Sequence, residues 1–131
     1  MQNNISFKSN INFVSSKKFL RKFKKGKYID FDAKETLNKT AFPLSNIHEH
    51  QTEHIRRIIK HGGIAFLIIR MNNITYLLTG EDYLYYIDTE TRKSISYKYI
   101  EEKAHIIKEA YQPSLDYIKV LDEIYFKGGD V

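Results

Sequence analysis

The chain contains no cysteine. Disulfides, thiolate chemistry and cysteine-ligated zinc are therefore excluded. Acidic residues are also missing from one whole end, since no Asp or Glu precedes Asp30. The longest apolar run is the six residues Ile64 to Ile69, far short of the ~18 needed to span a bilayer, and Met1 opens no signal-peptide pattern. The expectation is a soluble, cytoplasmic protein with no membrane partner. With two prolines and six glycines in 131 residues, there is no Pro/Gly-rich linker, internal repeat or low-complexity tract. A hydrophobic content of 42% suits one buried core, and so one domain.

What is present is unevenly placed. The net charge is +5, but residues 1–29 carry +8 and the remainder −3. The cations are Lys8, Lys17, Lys18, Arg21, Lys22, Lys24, Lys25 and Lys27, interleaved between positions 13 and 28 with Phe13, Phe19, Leu20, Phe23 and Tyr28. Such a segment can pack through its apolar residues while aiming cationic groups at phosphates, which makes Lys17, Lys18, Arg21, Lys22, Lys24, Lys25 and Lys27 the candidate DNA-binding residues. A lysine-rich face kept only for solubility, or a basic segment lying on a membrane surface, would have similar composition. Residues 1–12, rich in Asn and Ser, read as a frayed tail or weak edge strand. The expected organisation is a basic N-terminal arm over 1–23 and a folded domain over 24–127.

The stretch from Tyr28 to Lys34 alternates apolar and charged residues. As a strand of period two it puts Ile29, Phe31 and Ala33 on one face and Asp30, Asp32 and Lys34 on the other. Two carboxylates and an ammonium so arranged suit a divalent-metal phosphodiesterase site, in which an acid holds the ion and a lysine steadies the nucleophile or the charge on phosphate. A solvated strand face gives the same alternation. Downstream, Asn46 reads as the N-cap of a helix from about Ile47 to Lys60, with Ile47, Gln51, Ile55, Ile58 and Ile59 on one stripe. Gln51 then faces the sheet, where a polar side chain must be hydrogen-bonded or ligating something. His50 and His54 are i, i+4 neighbours, but no second half-site accompanies them as zinc would require; phosphate contact or exposed surface is the expectation for the histidines at 48, 50 and 54.

Between strand and helix, Thr36 to Ser45 reads as a loop. Gly62-Gly63 ends the helix. Ile64 to Ile69 suits a central strand buried on both faces, Asn72-Asn73 a turn, and Ile74 to Leu78 the returning strand, broken by Gly80. Asp82 to Ile87 fits a short helix or a strand. Lys93 to Tyr97 reads as an exposed strand or linker. The tyrosines at 83, 85, 86, 97 and 99 fit packing better than base stacking. Tyr99 to Ala110 reads as a helix with Ile100, Ala104, Ile107 and Tyr111 on one stripe, and Ser114 as the cap of a last helix from Leu115 to Phe126, ended by Gly128-Gly129. The fold class is α/β: a mixed central sheet built on the strands at 28–33 and 64–69, flanked by helices.

Several of these residues together resemble a known family. Lys25-Gly26-Lys27-Tyr28-Ile29-Asp30-Phe31-Asp32-Ala33-Lys34-Glu35-Thr36, then Asn38-Lys39-Thr40, Phe42-Pro43-Leu44 and His48-Glu49-His50-Gln51 with Glu53-His54, look like the core of the RecU Holliday junction resolvases of the PD-(D/E)xK nuclease superfamily. The resemblance continues through Gly63 to Ile69 and Tyr76-Leu77-Leu78, and returns at Tyr111, Pro113, Asp116-Tyr117-Ile118 and Tyr125-Phe126. It implies a restriction-endonuclease-like core and a recombination and repair protein, typically a homodimer, that binds four-way DNA junctions and cuts them with magnesium. It makes Asp32 the counterpart of the acidic ligand, normally Glu, Lys34 that of the motif lysine and Gln51 part of the metal site, with Asp30 a weaker candidate ligand.

The departure lies upstream. The family's Thr-X-Asp, whose aspartate is a principal metal ligand, falls in gapless register on Lys17 and Phe19. Family chains also begin earlier, with a helix bearing another acid and the first half of a projecting stalk. The resemblance therefore implies a chain shortened at its N-terminus, or one completed by a segment supplied elsewhere.

Two functions follow. The first is a RecU-like protein that binds branched DNA with impaired or lost nuclease activity, as a homodimer or in association with a full-length resolvase or a recombinase. The alternative is an active Mg2+-dependent resolvase using Asp32, Lys34 and Gln51 with a compensating acid. A protein drifted into pure protein interaction is a third.

Overall fold

The computed structural model describes residues 28–108 and 120–126. The basic arm, the segment 109–119 and the final residues lie outside them.

The alternating stretch forms strand β1 (Ile29–Glu35). After a loop come a short strand β2 (Ala41–Pro43) and a 3-10 turn, and then helix α1 (Glu49–Lys60). The apolar run is β3 (Ile64–Met71), which turns back into β4 (Ile74–Thr79). Helix α2 (Gly80–Thr89), strand β5 (Ser94–Ser96), helix α3 (Tyr97–Lys103) and strand β6 (His105–Ile107) follow. Among the described residues the main sheet has the order β1-β3-β4-β6, and a second sheet pairs β2 with β5. β1 runs parallel to β3, with Asp32 opposite Leu67, whereas β3–β4 and β4–β6 are antiparallel. The mixed α/β core expected from the pattern is the one observed. No helix among the described residues is long and apolar enough to cross a membrane.

The period of two decides what each side of the sheet holds. Ile29, Phe31 and Ala33 share one face with Ile64, Phe66 and Ile68, where Phe31 stacks on Phe66 at 5.0 Å, and Leu121 with Val120, Ile124 and Tyr125 covers them. The opposite residues of β3, Ala65, Leu67, Ile69 and Met71, meet Ile55 and Ile58 of α1 and Tyr83 and Tyr86 of α2. β3 is thus buried on both faces, which is why its sequence shows no alternation. At the β3–β4 turn, Asn72 and Asn73 adopt φ of 53° and 63°, the left-handed conformation Asn tolerates better than most residues. Gly80 lets α2 begin hard against the sheet: a Cβ there would stand 2.7 Å from the Ala65 carbonyl oxygen and 2.8 Å from Ile59 Cδ1.

Four expectations need correction. α1 starts at Glu49 with His48 as N-cap, two residues later than expected, and Asn46 lies in the preceding 3-10 turn. The stretch 36–45 is not all loop: Phe42 pairs with Ile95, both fully buried, and at 93–97 the strand of the two alternatives is the one observed, with its central residue buried rather than exposed. The helix expected to run to Ala110 ends at Lys103, Ala104 turns extended, and His105–Ile107 adds a strand to β4. The ladder satisfies that edge of β4, and it carries Ile107 to the sheet face opposite the one that buries Ile100, which one helical stripe could not do. In place of a regular last turn, Asp122–Phe126 forms a wide π-type turn; the earlier part of the helix expected from Leu115 lies outside the described residues.

The tyrosines hold the second layer together. Tyr86 donates to the Ser94 carbonyl (2.9 Å) and Tyr99 to the Asp82 carbonyl (2.8 Å), while Tyr76 and Tyr97 share a hydrogen bond between hydroxyls. Tyr85 is the exception, 63% exposed.

Candidate functional site

β1 delivers Asp30, Asp32 and Lys34 to the face covered by α1, and α1 lies on the crossover that links β1 to its parallel neighbour β3. A cavity of about 190 Å3 opens between them. Asp30, Asp32, His50, Gln51 and His54 give it polar walls, and Ile55, Ile58 and Leu67 are among its apolar ones.

Asp32 is the hub. Its Oδ2 accepts from the Gln51 amide nitrogen at 2.7 Å and lies 3.1 Å from Lys34 Nζ, while Oδ1 accepts from the Ala33 backbone N–H at 3.1 Å. The pair is well enclosed, with the Lys34 and Asp32 side chains 8% and 15% exposed. Gln51, at the third position of α1, uses its other end to begin the helix: Oε1 accepts from the His48 backbone N–H at 2.9 Å. A backbone N–H can only donate and a carboxylate only accept, so the orientation of this amide is set: carbonyl toward His48, NH2 toward Asp32.

Asp30 is held in the same manner one strand repeat away. Oδ1 accepts from the Phe31 N–H at 2.8 Å, and Oδ2 lies 2.9 Å from His54 Nε2. This pairing differs from the phosphate contact or exposed surface that spacing alone predicts for His54. The signal was there, because His54 follows Gln51 by three residues and so lies on the same side of α1. His48 and His50 stack on each other at 5.6 Å. α1 is moored to α2 by two contacts on a different side: Thr52 Oγ1 meets the Tyr83 hydroxyl at 2.7 Å, and the Arg56 guanidinium makes a fork on Asp88 at 2.6 and 2.9 Å. Burial raises the Tyr83 phenol above its usual range, and the Arg56 guanidinium lowers the Asp88 carboxyl below its own.

The donor set can be tested against a divalent cation. Magnesium asks for near-octahedral oxygen ligands. The described residues contain no group of three or more His, Cys, Asp or Glu placed to hold a metal ion. The Asp32 oxygen nearest Lys34 already faces an ammonium and an amide N–H, and the Gln51 oxygen is turned to the helix start. In this arrangement the residues present do not fit a complete magnesium site. Of the residues expected to form the site, Asp30, Asp32, Lys34 and Gln51 come together; Lys17, Lys18, Arg21, Lys22, Lys24, Lys25 and Lys27, together with Phe19, lie outside the described residues.

A mixed sheet flanked by helices, with an Asp-X-Lys strand facing the next helix, is the arrangement of a restriction-endonuclease-like α/β core. Comparison with known proteins gives the family. Residues 22–123 match the family described as RecU, recombination protein U. The chain is 50% identical over 107 residues to the Holliday junction resolvase RecU of Bacillus cytotoxicus, which covers 78% of this chain and 54% of that protein. It is 49% identical to that of Geobacillus kaustophilus, covering 78% and 54%, and 47% identical to that of Geobacillus sp. strain WCH70, covering 78% and 53%, each over 107 residues. The chain belongs to the RecU family. It spans about half the length of the curated relatives it matches.

Proposed function

We propose that this protein binds branched DNA in recombination and repair, and that its own residues do not assemble a complete cleavage site. The observation that carries the reading is the state of Asp32 Oδ2, which is shared between the Lys34 ammonium and the Gln51 amide. With no acid among residues 1–29, this chain's basic segment has no carboxylate to add to that oxygen. Binding then rests on the basic arm over 1–23 and on Lys24, Lys25 and Lys27, at the start of the folded domain over 24–127, and weakens with salt through counterion release. The partner classes that fit are four-way junctions, a second copy of this chain, and a full-length resolvase or a recombinase, in the cytoplasm.

A second reading is favoured by Asp30 and Asp32 lining one cavity with Lys34 beside them. In an active Mg2+-dependent resolvase, Asp32 would be the acidic ligand, with Asp30 turned inward or an acid supplied by a partner completing the set. Lys34 would steady the attacking water or the charge on phosphate, and Gln51 would keep Asp32 aimed.

Labelled four-way junction and matched linear duplex, incubated with the protein at low salt with magnesium, manganese or chelator, separate the two. The expected result on native and denaturing gels is a junction-selective shift without cuts, weakened when Lys17, Lys18, Arg21 and Lys22 are neutralised. Metal-dependent symmetric cuts that disappear in Lys34→Ala would overturn this reading and establish the second.

A further inference from the structure

A second depression, of about 390 Å3, lies beside the site cavity, lined chiefly by Tyr28, His54, Arg57, His61 and the Gly62-Gly63 pair. The two hollows share His54 and Ile58, so they adjoin along one side of α1. His54 stands at their junction with its Nε2 on Asp30.

Two adjacent arginines are used differently here. Arg56 is committed to the fold through its fork on Asp88. Arg57 is exposed, and its guanidinium has no ion-pair partner among the described residues. An exposed cation in a groove, with no acid among its described lining residues, favours an anionic occupant. The negative end of the helix is partly offset, because three of its last four carbonyls are taken: His61 N–H bonds to Arg57 and Ile58, Gly62 N–H to Ile59 and Gly63 N–H to Ile58. The His61 ring is fixed as well. Its Nδ1 lies 2.8 Å from the Arg57 carbonyl oxygen, which can only accept, so Nδ1 carries a proton; Nε2 of the neutral ring is then an acceptor, and the donors that face an anion here are those of Arg57. Over Gly62, at φ +85°, an added Cβ would meet no described atom within 4 Å. Under Gly63 the floor is closed, since a Cβ there would stand 2.8 Å from Ile58 Cγ2 and 2.9 Å from the Tyr28 carbonyl oxygen.

We propose that Arg57, with His61 and Tyr28 beside it, holds a backbone phosphate of a DNA strand that reaches the Asp30/Asp32 cavity past His54. A chain of regularly spaced anions suits two adjoining hollows, one with a cation and one with the candidate site, better than an isolated anion does. The inference rests on the reading of the protein as DNA-binding and adds a contact outside the basic arm.

The test measures junction affinity of the full chain by fluorescence anisotropy across a salt series, comparing wild type with Arg57→Gln, Arg57→Lys and Arg92→Gln. Arg92 is an exposed arginine on the loop after α2 and controls for net charge. Arg57→Gln should bind roughly three- to tenfold more weakly with a log–log salt slope lower by about one, as loss of one phosphate contact requires. Arg57→Lys should keep the slope, and Arg92→Gln should stay near wild type. Because the Arg57 side chain makes no described contact, its thermal midpoint should not move. An Arg57→Gln variant indistinguishable from wild type, or from Arg92→Gln, overturns the assignment while leaving junction binding intact. Failure of the wild type to bind any junction at low salt overturns the DNA reading itself, and this inference with it.

Discussion

The Asp32–Lys34 pair allows a prediction in which the two single substitutions differ and the double substitution is milder than one of them. Both side chains are more than four-fifths enclosed, so water screens the pair only partly, and stranding one partner of such a pair costs ~3–5 kcal/mol. The two losses are unequal. Lys34→Met leaves Asp32 with the Gln51 amide and the Ala33 N–H as donors, so the cost should be about 1–2 kcal/mol. Asp32→Ala leaves an enclosed ammonium whose only described partner was Asp32, and should cost about 3 kcal/mol. Removing the ammonium as well relieves that penalty, so Asp32→Ala/Lys34→Met should be about 2 kcal/mol more stable than Asp32→Ala alone. Urea unfolding followed by circular dichroism measures it: with slopes of ~1–3 kcal/mol/M, the midpoints should separate by roughly 0.7–2 M. Additivity within about 0.5 kcal/mol would refute the reasoning and show the pair to be solvent-screened. The outcome also bears on every activity assay of Asp32→Ala, since lost cleavage could then be lost fold.

Gly80→Ala sets at most ~1 kcal/mol of helix propensity against a Cβ 2.7 Å from a central-strand carbonyl. The clash should win by about 1–2 kcal/mol and lower the thermal midpoint; an unchanged or raised midpoint would contradict the packing at the start of α2. Burial raises the phenols of Tyr76, Tyr83 and Tyr125, and pushes Tyr99 up to about 12. Because these folded-state values exceed the unfolded ones, the stability they contribute is present below the usual phenol range and is lost as pH rises through it. Phenolate absorbance should therefore show one fraction titrating near the usual ~10 and another appearing together with alkaline unfolding; a single titration near 10 with the fold intact would refute this. Asp88 has the opposite sign, lowered by the Arg56 guanidinium, so its contribution exists above the ordinary Asp range and is lost as pH falls through the folded value. Asp88→Asn should be less stable than wild type at neutral pH and match it in acid, as read by urea midpoints at each pH; equal stability throughout would sink the idea. Asn73→Val places a β-branched residue at φ 63° and should cost about 1–2 kcal/mol in the same assay.

The parts legible in the sequence were those where one periodicity governed many residues. The alternation at 29–34 separated core from site, and the spacing from Gln51 to Ile59 oriented α1 toward β1. The unbroken run at 64–69 marked the strand buried on both sides. What could not be read depended on partners distant in sequence. Phe42 and Ile95 are buried by each other across the β2–β5 pairing, and neither three-residue strand carries a period of its own. The apolar spacing of Ile100, Ala104 and Ile107 fits a helix, yet the edge of β4 draws His105–Ile107 into the sheet instead. Local propensity is a weak prior against a ladder that also buries an isoleucine. α1 starts later than the residue type at 46 suggests because Asn46 belongs to the 3-10 turn, whereas the contact that closes the helix start is made by Gln51, the third residue of α1.

That contact gives Gln51 two jobs with one amide. Its carbonyl closes the first turn of α1 and its nitrogen grips Asp32. Helix ends are the first places where a fold opens and closes locally. Each time the first turn of α1 frays, the amide is released from both partners, so the carboxylate at the centre of the site loses one of its holds whenever that turn unwinds. Motion at Asp32 is therefore coupled to the winding of the helix end opposite, and a ligand that tightened the turn at His48 would help to still the carboxylate without touching it.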